Sequence, residues 1–117
     1  MSDRKNVLMI CTDHWSGSLL GCAGRKDIMT PTLDYLANNG IRYFYSECPV
    51  CIPARRSMMT GLTPKTHGDR AYADRMPMPD VPTLAETFRE NGYQTMAVGK
   101  LHVYPQRNRI GFEDVIL

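Results

Sequence analysis

The sequence predicts an α/β fold, a mainly parallel sheet flanked by helices. Apolar runs too short for helices alternate with segments that carry helix start and stop signals, and no internal repeat or low-complexity tract interrupts them. Strands in such an alternation pair in parallel, and ligands gather at their carboxyl ends.

Asn6 to Thr12 is a continuous apolar stretch that reads as a strand buried on both faces, with Asp13 at its carboxyl end. From Trp15 to Asp27 the glycines Gly17, Gly21 and Gly24 break any period and give a loop. Thr30 and Pro31 supply an N-cap and a first-turn proline; Leu33, Leu36 and Ala37 form one apolar stripe, and Gly40 stops the helix. Ile41 to Ser46, β-branched and aromatic, is the second strand, and a turn follows at Pro49. Pro53 is placed to be the first residue of a helix that runs through Met59 and ends at Gly61, which puts Cys51 just before a helix N-terminus. Thr63 to Pro82, with five prolines and glycines among charges, is largely irregular. Thr83 and Glu86 make a capping box for a helix that Asn91-Gly92 closes. Tyr93 to Val98 is the third strand, Gly99-Lys100-Leu101-His102 follows it, and Asp114 to Leu117 begin a further apolar segment.

Composition narrows the function classes. The 117 residues correspond to less than one domain of roughly 150, and 43% hydrophobic with 22% charged residues is ordinary for a globular chain. Fourteen Lys+Arg against 12 Asp+Glu leave +2, and the basic pairs Arg4-Lys5, Arg25-Lys26 and Arg55-Arg56 are scattered, so no nucleic-acid surface is expected. The apolar run from Val7 to Cys11 is far short of the roughly 20 residues of a membrane span. Met1 to Asn6 lead into it without a long apolar signal region, which makes a cytoplasmic location the default expectation. Cys11, Cys22, Cys48 and Cys51 are then expected as free thiols. Cys48 and Cys51 form a C-x-x-C, but Pro49 between them and the C-x-P-x-R run that starts at Cys51 weigh against a redox or zinc role.

The strongest local signal is Cys51-Ile52-Pro53-Ala54-Arg55, continued by Ser57, Met58, Met59, Thr60 and Gly61. A thiol at a helix N-terminus feels the positive end of the dipole, and Arg55 lies within about one turn, so the spacing suits an anion beside a reactive side chain. From spacing alone, a buried small cysteine ahead of a proline-started helix is an equal reading.

The C-x-P-x-R core with Thr60-Gly61 resembles the signature of the type I sulfatases, whose cysteine is oxidised to formylglycine. The surroundings agree in order: Val7 to Asp13, Leu20 to Gly24, Thr30 to Gly40, Leu62 to Gly68, Thr83 to Ala85, the G-K-x-H of Gly99 to His102, and Gly111 to Asp114 each resemble a segment of that family. The resemblance implies the N-terminal part of an alkaline phosphatase-like fold, with residues 1–117 an incomplete portion of a sulfatase catalytic domain, and a sulfuric ester hydrolase as the parent activity. It further implies that Cys51 becomes formylglycine, whose hydrated aldehyde attacks the sulfur of a sulfate ester with one hydroxyl and expels the sulfate by deprotonation of the other. Arg55 would hold that group, Lys100 and His102 would bind it and the sulfate oxygens, and Asp13 would ligate calcium (or magnesium). Lys100 and His102, two apart on an extended segment, would share a face. A formylglycine-generating or an anaerobic sulfatase-maturating enzyme would be the partner that modifies Cys51.

One position departs from the pattern. After the metal aspartate the family most often has Asp or Gln, whereas here stands His14, a nitrogen donor poorly suited to calcium. His14 is therefore a candidate ligand beside an equal reading as a hydrogen-bonded or exposed histidine. His67 reads as a shaper of its Pro/Gly-rich turn, Tyr43, Phe44 and Tyr45 as core and sheet face, and Met58-Met59 as helix packing. The second pair of metal ligands and a further Lys and His do not occur in these 117 residues, so the chain alone is expected to be inactive. Two other readings stand beside the sulfatase: a phosphonate or phosphate monoester hydrolase of the same superfamily, and a non-catalytic module that self-associates as a homo-oligomer through uncovered sheet edges.

Overall fold

The computed structural model describes residues 4–40 and 46–117. It divides into two compact units, residues 1–44 and 45–117.

In the first unit, two single 3-10 turns, Gly17–Leu19 and Gly21–Ala23, precede helix α1, Pro31–Asn39. The predicted helix is there, with Pro31 at its start and Gly40 at its end, but the side chain of its N-cap Thr30 makes no hydrogen bond to the helix backbone. Its hydroxyl donates to Asp34 Oδ1 at 3.0 Å and accepts from the Gly21 N–H at 2.8 Å, and Asp34 Oδ1 also accepts from the Cys22 N–H at 2.7 Å. Asp34 thus ties the 3-10 turn to the helix, and the Cys22 N–H first of all, with the Thr30 hydroxyl, holds its carboxyl below the ordinary carboxylate value. A Cβ at Gly21 would stand 2.5 Å from Asp34 Oδ2 and would push the carboxylate out of this joint.

Two expectations fail in this unit. Residues 7–11 carry no strand among the described residues, and Val7, Leu8 and Ile10 are 66%, 84% and 80% exposed rather than buried on both faces. A parallel strand exists only through ladder bonds to neighbours, and none of the described residues pairs with this run, so its apolar composition alone does not make a strand. Asp13 therefore does not close a strand. The apolar stripe of α1 is likewise uncovered, with Leu33 and Leu36 exposed, because two 3-10 turns offer too little surface to bury it. The strand expected over 41–46, with Tyr43, Phe44 and Tyr45, lies outside the described residues except for Ser46.

The second unit contains helices α2, Cys51–Thr60, α3, Pro64–His67, and α4, Leu84–Glu90, and strands β1, Met96–Val98, and β2, Asp114–Ile116. β1 and β2 pair in parallel with Met96 opposite Asp114 and Val98 opposite Ile116, as the alternation predicts. Helix α2 begins two residues earlier than the proline signal suggests: Val50 is its N-cap, so Cys51 is the first helical residue and Pro53 the third. All three positions lie in the first turn, where a missing N–H costs nothing, so Pro53 does not mark the start uniquely. Gly61 ends α2 at φ 70°, the left-handed conformation that glycine adopts without strain. The irregular stretch after it holds only the single turn of α3.

The capping box at α4 is complete. Thr83 Oγ1 accepts from the Glu86 N–H at 3.2 Å, Glu86 Oε2 accepts from the Thr83 N–H at 2.8 Å, and the threonine hydroxyl itself donates to the Ile110 carbonyl at 2.7 Å. Gly111, at φ 94°, passes so close that a Cβ would meet Glu86 Cγ at 2.5 Å and Thr83 Oγ1 at 2.7 Å. The loop before β2 is thus seated on the first turn of α4. Met59 of α2, Ala97 of β1, Leu101 and Ile110 form the buried centre, with Met58, Leu84, Phe112 and Val115 packed against it. Among the described residues no helix is long and apolar enough to cross a membrane.

Candidate active site

The centre of interest is the N-terminal turn of α2 and the loop leaving β1. Cys51 and Arg55 are four apart on α2, hence on one face of the helix. Cys51 is half-buried and its thiol is free, as are those of Cys11, Cys22 and Cys48. Arg55 Nη1 donates to the Lys100 carbonyl at 2.7 Å and so holds the loop after β1 against α2.

In that loop Leu101 is buried in the core while Lys100 is exposed and His102 half-buried. Burying the middle residue turns its two neighbours away from the core, as the two-residue spacing predicts. The extended path ends at His102, which has φ 57°. The left-handed region is costly for a non-glycine residue, so the backbone there is held by its surroundings. His102 Nδ1 is buried with no hydrogen-bond partner among the described residues, a ring nitrogen placed to meet something else. Tyr72 lies beside this ring, centroid to centroid 6.3 Å and tilted by 58°. Cys51, Arg55, Lys100 and His102 thus all belong to one unit, three of them linked through the α2 face and the Gly99–His102 loop.

Asp13 and His14 are neighbours in the first unit. His14 Nε2 is 3.8 Å from Asp13 Oδ2, with the side chains 80% and 43% exposed. Calcium takes six to eight oxygen ligands, and magnesium a near-ideal octahedron. One carboxylate beside an imidazole does not make either shell, and among the described residues no group of three or more His, Cys, Asp or Glu converges. The residues present therefore do not fit a calcium or magnesium ion by themselves.

Sequence reasoning missed a clasp beneath the site. Arg56, the neighbour of Arg55, points the other way: its Nε stands 3.0 Å from Asp69 Oδ2, with side chains 4% and 1% exposed. Its Nη1 donates to the Pro77 carbonyl at 2.6 Å and its Nη2 to the Met76 carbonyl. The signal was available, because Arg56 falls on the 52, 56, 59 stripe with buried Ile52 and Met59. His67 shapes the turn as expected. The Asp69 N–H donates to its Nδ1 at 3.2 Å, so in the neutral ring Nε2 carries the proton and donates to Ser57 Oγ at 3.1 Å.

Comparison with known proteins decides the family. The family model described as Sulfatase matches residues 5–116. The chain belongs to the sulfatase family. It is 38% identical over 116 residues to an arylsulfatase of Clostridium perfringens, covering 97% of this chain and 24% of that protein. It is 36% identical over 105 residues to human iduronate 2-sulfatase, covering 86% of this chain and 19% of the relative. The crystal structure of a candidate sulfatase from Bacteroides thetaiotaomicron superposes with a TM-score of 0.70 at 28% identity, over 87% of this chain and 23% of that one. The α/β expectation thus holds. This sulfatase-family chain spans about a quarter of the length of these relatives or less.

Proposed function

We propose that residues 1–117 are the N-terminal, nucleophile-bearing portion of a sulfuric ester hydrolase, with Cys51 as the residue that is matured to formylglycine. The observation that carries this reading is the placement of Cys51 on the first residue of α2, one turn from an arginine that is tied to the carbonyl of Lys100. Cys51 fits the modification: its thiol is free, half-buried and at the positive end of a ten-residue helix. Formylglycine, hydrated, supplies an oxygen nucleophile for the sulfur and a second hydroxyl whose deprotonation releases the sulfate. Maturation removes two electrons and the sulfur, as sulfide, from Cys51, and the maturating enzyme passes the electrons to dioxygen on an aerobic route or to a radical-generating cofactor on an anaerobic one.

The residues of this chain prepare the anion. Arg55 brings a planar guanidinium that is held in direction by its bond to the Lys100 carbonyl. Lys100 adds an exposed ammonium at the carboxyl end of β1, and His102 offers a buried ring nitrogen for the sulfate or for the nucleophile. Together with the open N–H groups of the first turn of α2, these donors would oppose the negative charge that builds on the sulfuryl oxygens. No step is assigned to a cation, because Asp13 and His14 do not complete a shell.

Two measurements test the reading. Mass spectrometry of the Cys51 peptide from the native host is expected to show the aldehyde; an unmodified thiol overturns it. Residues 1–117 alone, with Cys51 matured and calcium supplied, are expected to hydrolyse no 4-nitrophenyl sulfate, and robust turnover would show that this portion is a complete enzyme.

A further inference from the structure

Tyr72 has no role in the chemistry above, yet the fold uses a buried ion pair to hold its loop. The segment from Asp69 to Pro77 is irregular, and both its ends are fixed by one side chain: Arg56 pairs with Asp69 at one end and donates to the Met76 and Pro77 carbonyls at the other. Between these anchors Tyr72 is 58% exposed, and its ring stands 6.3 Å from that of His102. That separation is within the range of attractive aromatic pairs. An exposed aromatic ring costs nothing in buried polar groups but leaves apolar area wet, which a flat ligand would cover.

We propose that Tyr72 is a specificity residue: it forms the wall against which the ring of an aryl sulfate lies while the sulfate itself is held by Arg55, Lys100 and His102. The inference rests on the sulfatase reading above. The loop clasp makes the wall preformed, so little conformational freedom is lost when the ring docks. Because Tyr72 faces the alcohol part and not the anion, its removal weakens ring binding and leaves sulfate binding alone.

The test uses the full-length protein that carries residues 1–117, purified from its host with Cys51 matured, and Tyr72→Ala and Tyr72→Phe made in it. For Tyr72→Ala, kcat/KM on 4-nitrophenyl sulfate is expected to fall about tenfold, chiefly through KM, as befits the loss of one aromatic contact. Inhibition by 4-nitrophenol is expected to weaken by a similar factor while inhibition by inorganic sulfate holds, and Tyr72→Phe is expected to behave as the parent. Equal weakening of nitrophenol and sulfate, or no change in either, overturns the role of Tyr72. If the unsubstituted protein hydrolyses no sulfate ester, the sulfatase reading falls first and takes this inference with it.

Discussion

Arg55 Nη1 donates a 2.7 Å hydrogen bond to the backbone carbonyl of Lys100, 45 positions along the chain. One guanidinium thereby lies on the Cys51 side of α2 and fixes the loop that carries two further candidate anion ligands.

Substituting Arg55 should therefore have two effects. In the full-length sulfuric ester hydrolase proposed above, Arg55→Ala is expected to lower kcat/KM on 4-nitrophenyl sulfate by about 10²-fold, the typical loss of one preorganised donor. The Leu101 and His102 amides should also exchange faster with solvent deuterium, which steady-state kinetics and hydrogen exchange would read separately. Arg55→Lys should recover little, since an ammonium does not reproduce the planar fork.

The Arg56 clasp predicts a loss of stability when either partner is removed. Removing one member of a buried pair leaves the other charged and unpaired, so Arg56→Met or Asp69→Leu should each cost about 3–5 kcal/mol in urea unfolding. The double variant should cost clearly less than the two together, because no orphan charge remains. A strictly additive double variant would show that the pair does not act as a unit.

Two glycines with similar backbone angles should behave differently on substitution. Gly61→Ala meets only the left-handed backbone penalty, about 1–2 kcal/mol, because nothing lies within 4 Å of the new Cβ. Gly111→Ala meets the same penalty and also collides with Glu86 and Thr83 in the capping box. It should therefore lower the thermal midpoint of unfolding distinctly further than Gly61→Ala.

Asp34 gives the first unit a defined response to acid. Its carboxyl is held below the ordinary value of 3.8 by the Cys22 N–H, with Thr30 adding to it, so the folded form favours the carboxylate more than the unfolded form does. Its contribution is complete above the unfolded pKa and is lost as pH falls through the folded one. Protection of the Cys22 amide in hydrogen exchange should be flat at neutral pH and fall below about pH 4. In Asp34→Asn that amide should show weaker protection at neutral pH and no such acid step.

What could be read from the sequence was local. The Thr83–Glu86 capping box, the end of α2 at Gly61, the start of α1 at Pro31 and the loop position of Lys100 and His102 all follow from residues within a few positions of one another. Where the outcome depends on distant partners, local pattern misleads. Residues 7–11 have the composition of a strand but no ladder partner among the described residues, and the stripe of α1 has no surface to cover it. Arg56 looked like one of several scattered cations, because Asp69, Met76 and Pro77 reach it only through the path of an irregular loop. Tyr72 carried no signal at all, since its meaning comes from the ring of His102 beside it.

The parallel pairing of β1 with β2 also sets how the segment between them tolerates redesign. At one end the Gly99 N–H donates to the Ile116 carbonyl at 2.7 Å, and at the other the Glu113 and Asp114 N–H groups both reach the Thr95 carbonyl at 3.1 Å. The connection is therefore a span of fixed ends whose outer arc, residues 104–109, lies in solvent. Residues inserted in that arc would swell outward and leave the ladder in register, whereas one residue added between Gly99 and His102 would shift Lys100 and His102 relative to α2. The arc is the place to attach a reporter or an affinity handle, and the four residues Gly99 to His102 are the place to leave untouched.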